Sequence, residues 1–179
     1  DGDGDPENDA DLTGETVEWK DIAPGKYAIA LTVINGAGLS STDDTIVYVN
    51  YVGKWNEFSI GGNTSNNPID IDFSFPSTYD TDSGNKIKRV EGILVYPKED
   101  ADQIGCPQNP NCRAKLDLYG FNSTDEETGN TSSSPVDQRN YGDCDSDTDC
   151  LYYAWSGYFF SESQHKDGEW TMAVRNEMV

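Results

Sequence analysis

Positive charge is scarce in this chain. One His and 12 Lys+Arg stand against 33 Asp+Glu in 179 residues, a formal net charge of -21. Phosphate recognition rests on clustered Lys and Arg, so nucleic acid is not an expected partner, and neither is an anionic membrane surface. No apolar run approaches the length of a transmembrane helix, so no direct membrane contact is expected. No stretch keeps the i, i+3, i+4, i+7 spacing of an amphipathic helix. There is no initiator Met and no leader, and the opening at Asp1 predicts a mature or excised product.

Catalytic signatures are missing too. The chain has no G-x-S-x-G elbow, no H-E-x-x-H pair and no Gly-rich phosphate loop. Ser161, Ser163 and His165 lie close together with Asp167 behind them. On a strand, side chains two apart stand about 7 Å from one another, too far for a direct Ser–His hydrogen bond. The expectation is a protein that is not an enzyme, although 33 acids leave room for a carboxylate pair of the glycosidase kind.

Aliphatic residues are scarce as well. Leu, Ile, Val and Phe make up 33 of the 179 residues, a share that at this charge borders on disorder. Ten Tyr and four Trp, clean period-two alternation and tightly spaced cysteines argue instead for a folded chain with a modest core and large polar loops. The acid excess favours solubility, cation binding, or salt-rich surroundings that screen self-repulsion.

The four cysteines form two close pairs, Cys106/Cys112 and Cys144/Cys150. Two local disulfides are the most economical of the three connectivities. Zinc is the competing reading, but its motifs use shorter spacing and His165 is the lone histidine. Disulfides predict an oxidising compartment, hence an extracellular or cell-surface location. Sequons at Asn63, Asn122 and Asn130 fit that setting as glycosylation candidates.

Residues 1–15 are acidic, carry no apolar face, and read as a linker or loop. Period-two segments follow. "TVEWKDI" sets Val17 and Trp19 on one side, "KYAIALTVI" sets Tyr27, Ile29, Leu31 and Val33 on one side, and "TIVYV" closes at 45–49. Pro24-Gly25 and Asn35-Gly36, with Gly38 close behind, mark turns. Over about residues 16–50, "VEWKDIAPGKYAIALTVINGAGLSSTDDTIVYVN" resembles the second half of a PKD or related Ig-like domain. The "W-D-F-G-D-G" segment of that family is missing, and little chain precedes the match. The resemblance therefore implies a partial domain, residues 16–52: either it is truncated here, or its missing strands come from elsewhere in this chain or from another chain.

Beyond Trp55 the pattern changes. "PIDIDFSF" alternates Ile69, Ile71, Phe73 and Phe75 with Asp70, Asp72 and Ser74. "VEGILVYP", "KLDLYGF", "LYYAWSGYFF" and "GEWTMAVRN" follow across long polar loops. The closing "GEWTMAVRN" resembles the "G-x-W-x-L-x-V" strand of proprotein-convertase P-type jelly rolls. The expected fold is all-β with eight to ten strands: an Ig/PKD-like portion, then a jelly-roll-like β-sandwich over residues 53–179.

Two acidic runs have cation-site spacing. Asp143, Asp145, Asp147 and Asp149 alternate around Cys144 and Cys150. Hard Ca2+ takes six to eight oxygens, and alternating Asp in a tight loop can turn several carboxylates toward one centre. An EF-hand needs Gly at loop position 6 and Glu at 12, where this chain has Thr148 and Ala154, so the loop is not one. The plainer reading is a solvated acidic turn pinned by a disulfide; the sharper is a structural Ca2+ site. Asp1, Asp3 and Asp5 begin a second alternating run, with Pro6 where such loops carry Gly, and a flexible acidic linker is its plainer meaning.

The block "LYYAWSGYFF" places Leu151, Tyr153, Trp155 and Phe159 on one side of a strand and Tyr152, Tyr158 and Phe160 on the other. One side must fill a core; the second is either covered or a platform for stacking sugar rings, with Trp55 and Trp170 as further stacking candidates. The expected function is a non-catalytic structural or adhesive module of a secreted or surface assembly, joined to other domains or subunits by strand sharing. The competing expectation is a carbohydrate-binding module whose partners are glycans.

Overall fold

The computed structural model describes residues 11–60, 69–77, 79, 84, 86–98, 115–157 and 166–176. The protein is all-β, and it divides into two compact units, Asp1–Val52 and Gly53–Val179. Among the described residues no helix is long and apolar enough to cross a membrane.

The first unit contains one antiparallel hairpin, β1 (Gly25–Ile34) and β2 (Ser40–Val49), in unbroken register from Gly25↔Val49 to Ile34↔Ser40. Asn35 makes its turn. The Asn35 Oδ1 accepts the N–H groups of Ala37 at 2.9 Å and Leu39 at 3.0 Å, and Gly38 sits at φ +79°, where a side chain would be strained. The register puts Tyr27, Ile29, Leu31 and Val33 on one face together with Val47, as the alternation predicts. The first two are half-buried and Trp19 packs edge-on against Tyr27 at 5.3 Å, yet Leu31 remains 64% exposed and Val33 59%. "TVEWKDI" was expected as a strand by its alternation; it pairs with no strand among the described residues, and its Trp19 serves as a lid on Tyr27 instead.

In the second unit two antiparallel sheets face each other. One has the order β3 (Ile69–Ser77), β8 (Gly168–Asn176), β5 (Leu116–Phe121), β6 (Glu127–Asn130); the other pairs β4 (Arg89–Pro97) with β7 (Thr148–Ser156). Alternation decides what each strand buries. Val90, Leu94 and Tyr96 of β4 and Leu151, Tyr153 and Trp155 of β7 meet Leu116 and Leu118 of β5 and Trp170, Met172 and Val174 of β8. The Trp155 and Trp170 rings lie 4.7 Å apart in the middle of this layer. Trp170 is 1% exposed, so it is a core residue and not the stacking candidate its sequence context suggested.

Two glycines make the packing possible. Gly92 leaves the space that the Met172 side chain occupies, and Gly120 leaves the space over which the Tyr153 phenol lies, bonded to Thr128 Oγ1. On the other side of the larger sheet, Arg175 makes a double ion pair with Asp70 at 2.7 and 2.8 Å and covers the Tyr119 ring at 4.2 Å, which holds its guanidinium charge firmly.

Candidate functional site

The face of β4–β7 that turns away from the core carries the site. Along β4 the outward residues are Arg89, Glu91, Ile93 and Val95; along β7 they are Cys150, Tyr152, Ala154 and Ser156. Tyr152 thus stands on the outward side and Leu151, Tyr153 and Trp155 on the inward side, as the alternation predicts. Ile93 is 62% exposed and Val95 55%, large values for aliphatic residues in mid-strand.

A second tyrosine joins this face through the loop before β7. Residues 139–141 run beside the start of β7: the Cys150 N–H donates to the Arg139 carbonyl at 2.8 Å, and the Tyr141 N–H donates to the Cys150 carbonyl at 3.2 Å. Gly142 then turns at φ +67°, and the Cys144–Cys150 disulfide closes the loop, with Cα atoms 5.9 Å apart. The result lays the Tyr141 ring on the Tyr152 ring, centroids 4.3 Å apart and planes within 9°. Tyr141 keeps 47% of its surface in solvent. Ile93, Val95, Tyr141, Asp143, Asp145 and the disulfide line a shallow cavity of about 200 Å³.

Polar groups fix the far end of the platform. The Arg89 Nη2 donates to Glu91 Oε1 at 2.8 Å and to the Tyr152 hydroxyl at 3.0 Å, and that hydroxyl donates in turn to Glu91. The bond to Tyr152 and the charge of Glu91 raise the Arg89 pKa above the ordinary arginine value. The bond to Glu91 holds the Tyr152 proton in place and raises its pKa, against the opposing pull of Arg89. A donor-rich guanidinium and a carboxylate therefore sit side by side, oriented, at the phenol end of an aromatic stack.

Beneath the loop lies the structure that positions it. Arg139 is fully buried and spans from β4 to β5. Its Nη1 donates to the Tyr96 hydroxyl at 2.8 Å and the Leu116 carbonyl at 2.6 Å, and its Nη2 meets both Asp117 oxygens at 2.9 and 3.2 Å. Thr131 Oγ1 donates to Asp117 at 2.9 Å, and Lys115 Nζ lies 3.4 Å from its second oxygen. Burial alone would lower the Arg139 pKa; Tyr96 and Asp117 outweigh it and hold the charge.

The other sequence candidates are distributed as follows. Asp143, Asp145 and Asp147 are exposed on the loop, whereas Asp149 is inward-facing on β7 opposite Tyr96 and 1% exposed. Strand β7 begins at Thr148, so Asp149 is carried inward on the ladder while the other three stay on the exposed loop before it. No group of three or more His, Cys, Asp or Glu able to hold a metal occurs among the described residues. The Asp147 carboxylate accepts from Ser146, and Lys98 Nζ donates to the Ser146 carbonyl, so a cation side chain already serves this loop. Asn130 is exposed, while Asn122 is buried with its Nδ2 donating to Glu126, which leaves no room for a glycan on Asn122 in the folded chain. Asp167 accepts the Tyr79 N–H at 2.6 Å. Trp55 rests on Phe73, ring centroids 5.0 Å apart, and stays 44% exposed. Asp1, Asp3, Asp5, Asn63, Cys106, Cys112, Tyr158, Phe160, Ser161, Ser163 and His165 lie outside the described residues.

Sequence reasoning missed Tyr141, Ile93, Val95 and the Arg89–Glu91 pair. The alternation of "VEGILVYP" contained the signal for the β4 residues, since an apolar run on both faces of a two-stranded sheet must leave one face uncovered. Nothing in the loop sequence marks Tyr141, because its place depends on the disulfide and on Arg139. No protein family, curated protein or solved structure matches this chain.

Proposed function

We propose that the chain is a non-catalytic structural module of a secreted or cell-surface assembly, joined to its neighbours by completion of the β1–β2 hairpin. One observation carries this reading: the hairpin has ten register pairs, yet its apolar stripe at Leu31 and Val33 faces solvent and neither strand has a second partner among the described residues. A two-stranded hairpin is marginal in water unless further strands or a second layer cover it, and unpaired edges are templates for strand addition. The Cys144–Cys150 disulfide supports an oxidising compartment. A charge of -21 opposes association of like chains at low ionic strength, so joining is expected to strengthen as salt screens it.

The test is solution mass by light scattering on the 179-residue chain at low and high salt, alongside Leu31→Asp and Val33→Asp. Salt-promoted assembly that either variant abolishes supports hairpin completion. A monomer at every salt concentration whose β1–β2 amides resist hydrogen exchange would sink it, because the hairpin would then be stable alone.

A further inference from the structure

We propose that the outward face of β4–β7 is a binding site for a neutral oligosaccharide, stacked on Tyr141 and anchored by Arg89 and Glu91. The proposal concerns the second unit and is independent of hairpin completion.

The face has the same division of polarity as a sugar. A pyranose ring is apolar on its flat faces and carries hydroxyl donors and acceptors around its rim. Following β4, the oriented Arg89–Glu91 pair comes first, then Ile93 beside the Tyr141–Tyr152 stack, then Val95 under the acidic loop. By strand rise, Glu91 to Val95 covers about 13 Å, the span of a short oligosaccharide. The stacked rings lie within 9° of parallel, so Tyr152 backs one face of Tyr141 while about half of Tyr141 stays open to a ligand.

Charge narrows the ligand class. Asp143 and Asp145 border the cavity, Glu91 stands further along the same face of β4 beyond Ile93, and the whole chain is at -21. Phosphates, sulfated glycans and uronates would be repelled, whereas hydroxyl groups donate to carboxylates without cost in charge. A purely apolar partner fits no better, since it would strip water from Arg89 and Glu91 and return no hydrogen bonds. The Arg89 guanidinium has further N–H groups beyond those used on Glu91 and Tyr152, and these can meet a sugar oxygen. Tyr152 is the part of this site that the sequence alternation had placed on a stacking face; Tyr141 and the β4 side chains complete it.

The experiment uses the full chain and a panel of cellohexaose, mannohexaose, maltohexaose and chitohexaose, read by saturation-transfer NMR and titration calorimetry. At least one is expected to bind saturably, with saturation transfer to the sugar ring protons. Tyr141→Ala is expected to weaken that binding about tenfold, and Arg89→Leu to weaken it at least as much as loss of one charged hydrogen bond does, again about tenfold. Both side chains are exposed, so an unchanged thermal midpoint separates lost binding from lost fold; should one variant unfold, the other decides. Silence across the panel overturns the proposal, as does binding that both variants leave intact. Saturable binding of octalysine to this face, with none of the sugars, would also overturn it and mark the face as a peptide site.

Discussion

Arg139 and Asp117 meet at 2.9 Å with neither side chain exposed, 22 residues apart in sequence with the whole of strand β6 between them in the chain. Such a pair contributes less through its own attraction than through what its removal leaves behind, an unpaired charge in a low-dielectric interior. Asp117→Asn is therefore expected to cost about 3–5 kcal/mol in urea unfolding. The double variant Asp117→Leu with Arg139→Met is expected to cost much less than the sum of the two single changes, because it removes both charges together. Additive losses would show that the two groups act separately.

High pH tests the same region from another side. Burial raises the Tyr96 pKa above its ordinary 10.0, with Arg139 opposing and Asp149 reinforcing the shift, and burial likewise raises Tyr153. In the unfolded chain both phenols ionise near 10; in the folded chain they hold their protons beyond it. The unfolded state then binds fewer protons than the folded one, so the stability these groups confer is complete below about pH 10 and is lost as pH rises through the folded values. Denaturation midpoints are expected to fall steeply above pH 10, with tyrosinate absorbance lagging behind that of the urea-unfolded chain. Tyr96→Phe is expected to flatten the fall while lowering stability at neutral pH, since Arg139 loses an acceptor.

Asn122 and Asn130 share a sequon pattern but not a fate. The Asn122 Oδ1 accepts from the Thr124 N–H, the Thr124 hydroxyl and the Glu126 N–H, all within 3.0 Å, and so shapes the turn between β5 and β6 with Asp125 at φ +59°. Asn130 is exposed at the end of β6. Expression through an N-glycosylating secretory pathway is expected to give folded protein modified at Asn130 and bare at Asn122, as glycopeptide mass spectrometry would read. Asn122→Asp, which replaces the donor facing Glu126 with a second carboxylate, is expected to destabilise by about 1–3 kcal/mol.

How much of this was legible follows from which interactions are local. Alternation placed Tyr153 and Trp155 inward and Tyr152 outward on β7, and the Asn35 turn between β1 and β2, because period-two burial and Asx-turn chemistry are decided within a few residues. The same alternation was read too generously at "TVEWKDI", where no ladder forms among the described residues. Trp170 and Trp55 look alike as aromatic residues in polar surroundings, yet one is sealed in the core and the other is half-open; only the strand order β3-β8-β5-β6 separates them. Arg139 carried no signal at all, since a lone arginine in a polar loop finds Asp117 and Tyr96 only after two sheets have come together. The spacing of the aspartates at 143–149 left a solvated turn and a cation site both open. It could not show that the strand beginning at Thr148 takes Asp149 inward and leaves the other three on the loop.

The Cys144–Cys150 disulfide joins the buried network to the exposed platform, so its removal has two separable readouts. Closing so short a loop restricts the unfolded chain only modestly, by about 2 kcal/mol in the chain-entropy account. Cys144→Ser with Cys150→Ser is expected to lower stability by about that amount and to leave the core intact, because Arg139 and Asp117 do not depend on the sulfur bridge for their contact. The loop itself loses its closure. Tyr141 would then be held on Tyr152 only by the stacking contact and by its backbone bond to Cys150. NMR of the double variant is expected to show unchanged shifts for Trp155 and Trp170 but averaged ring shifts for Tyr141. Broad loss of the tryptophan shifts would mean instead that the disulfide supports the sandwich core, and the separation between framework and platform would not hold.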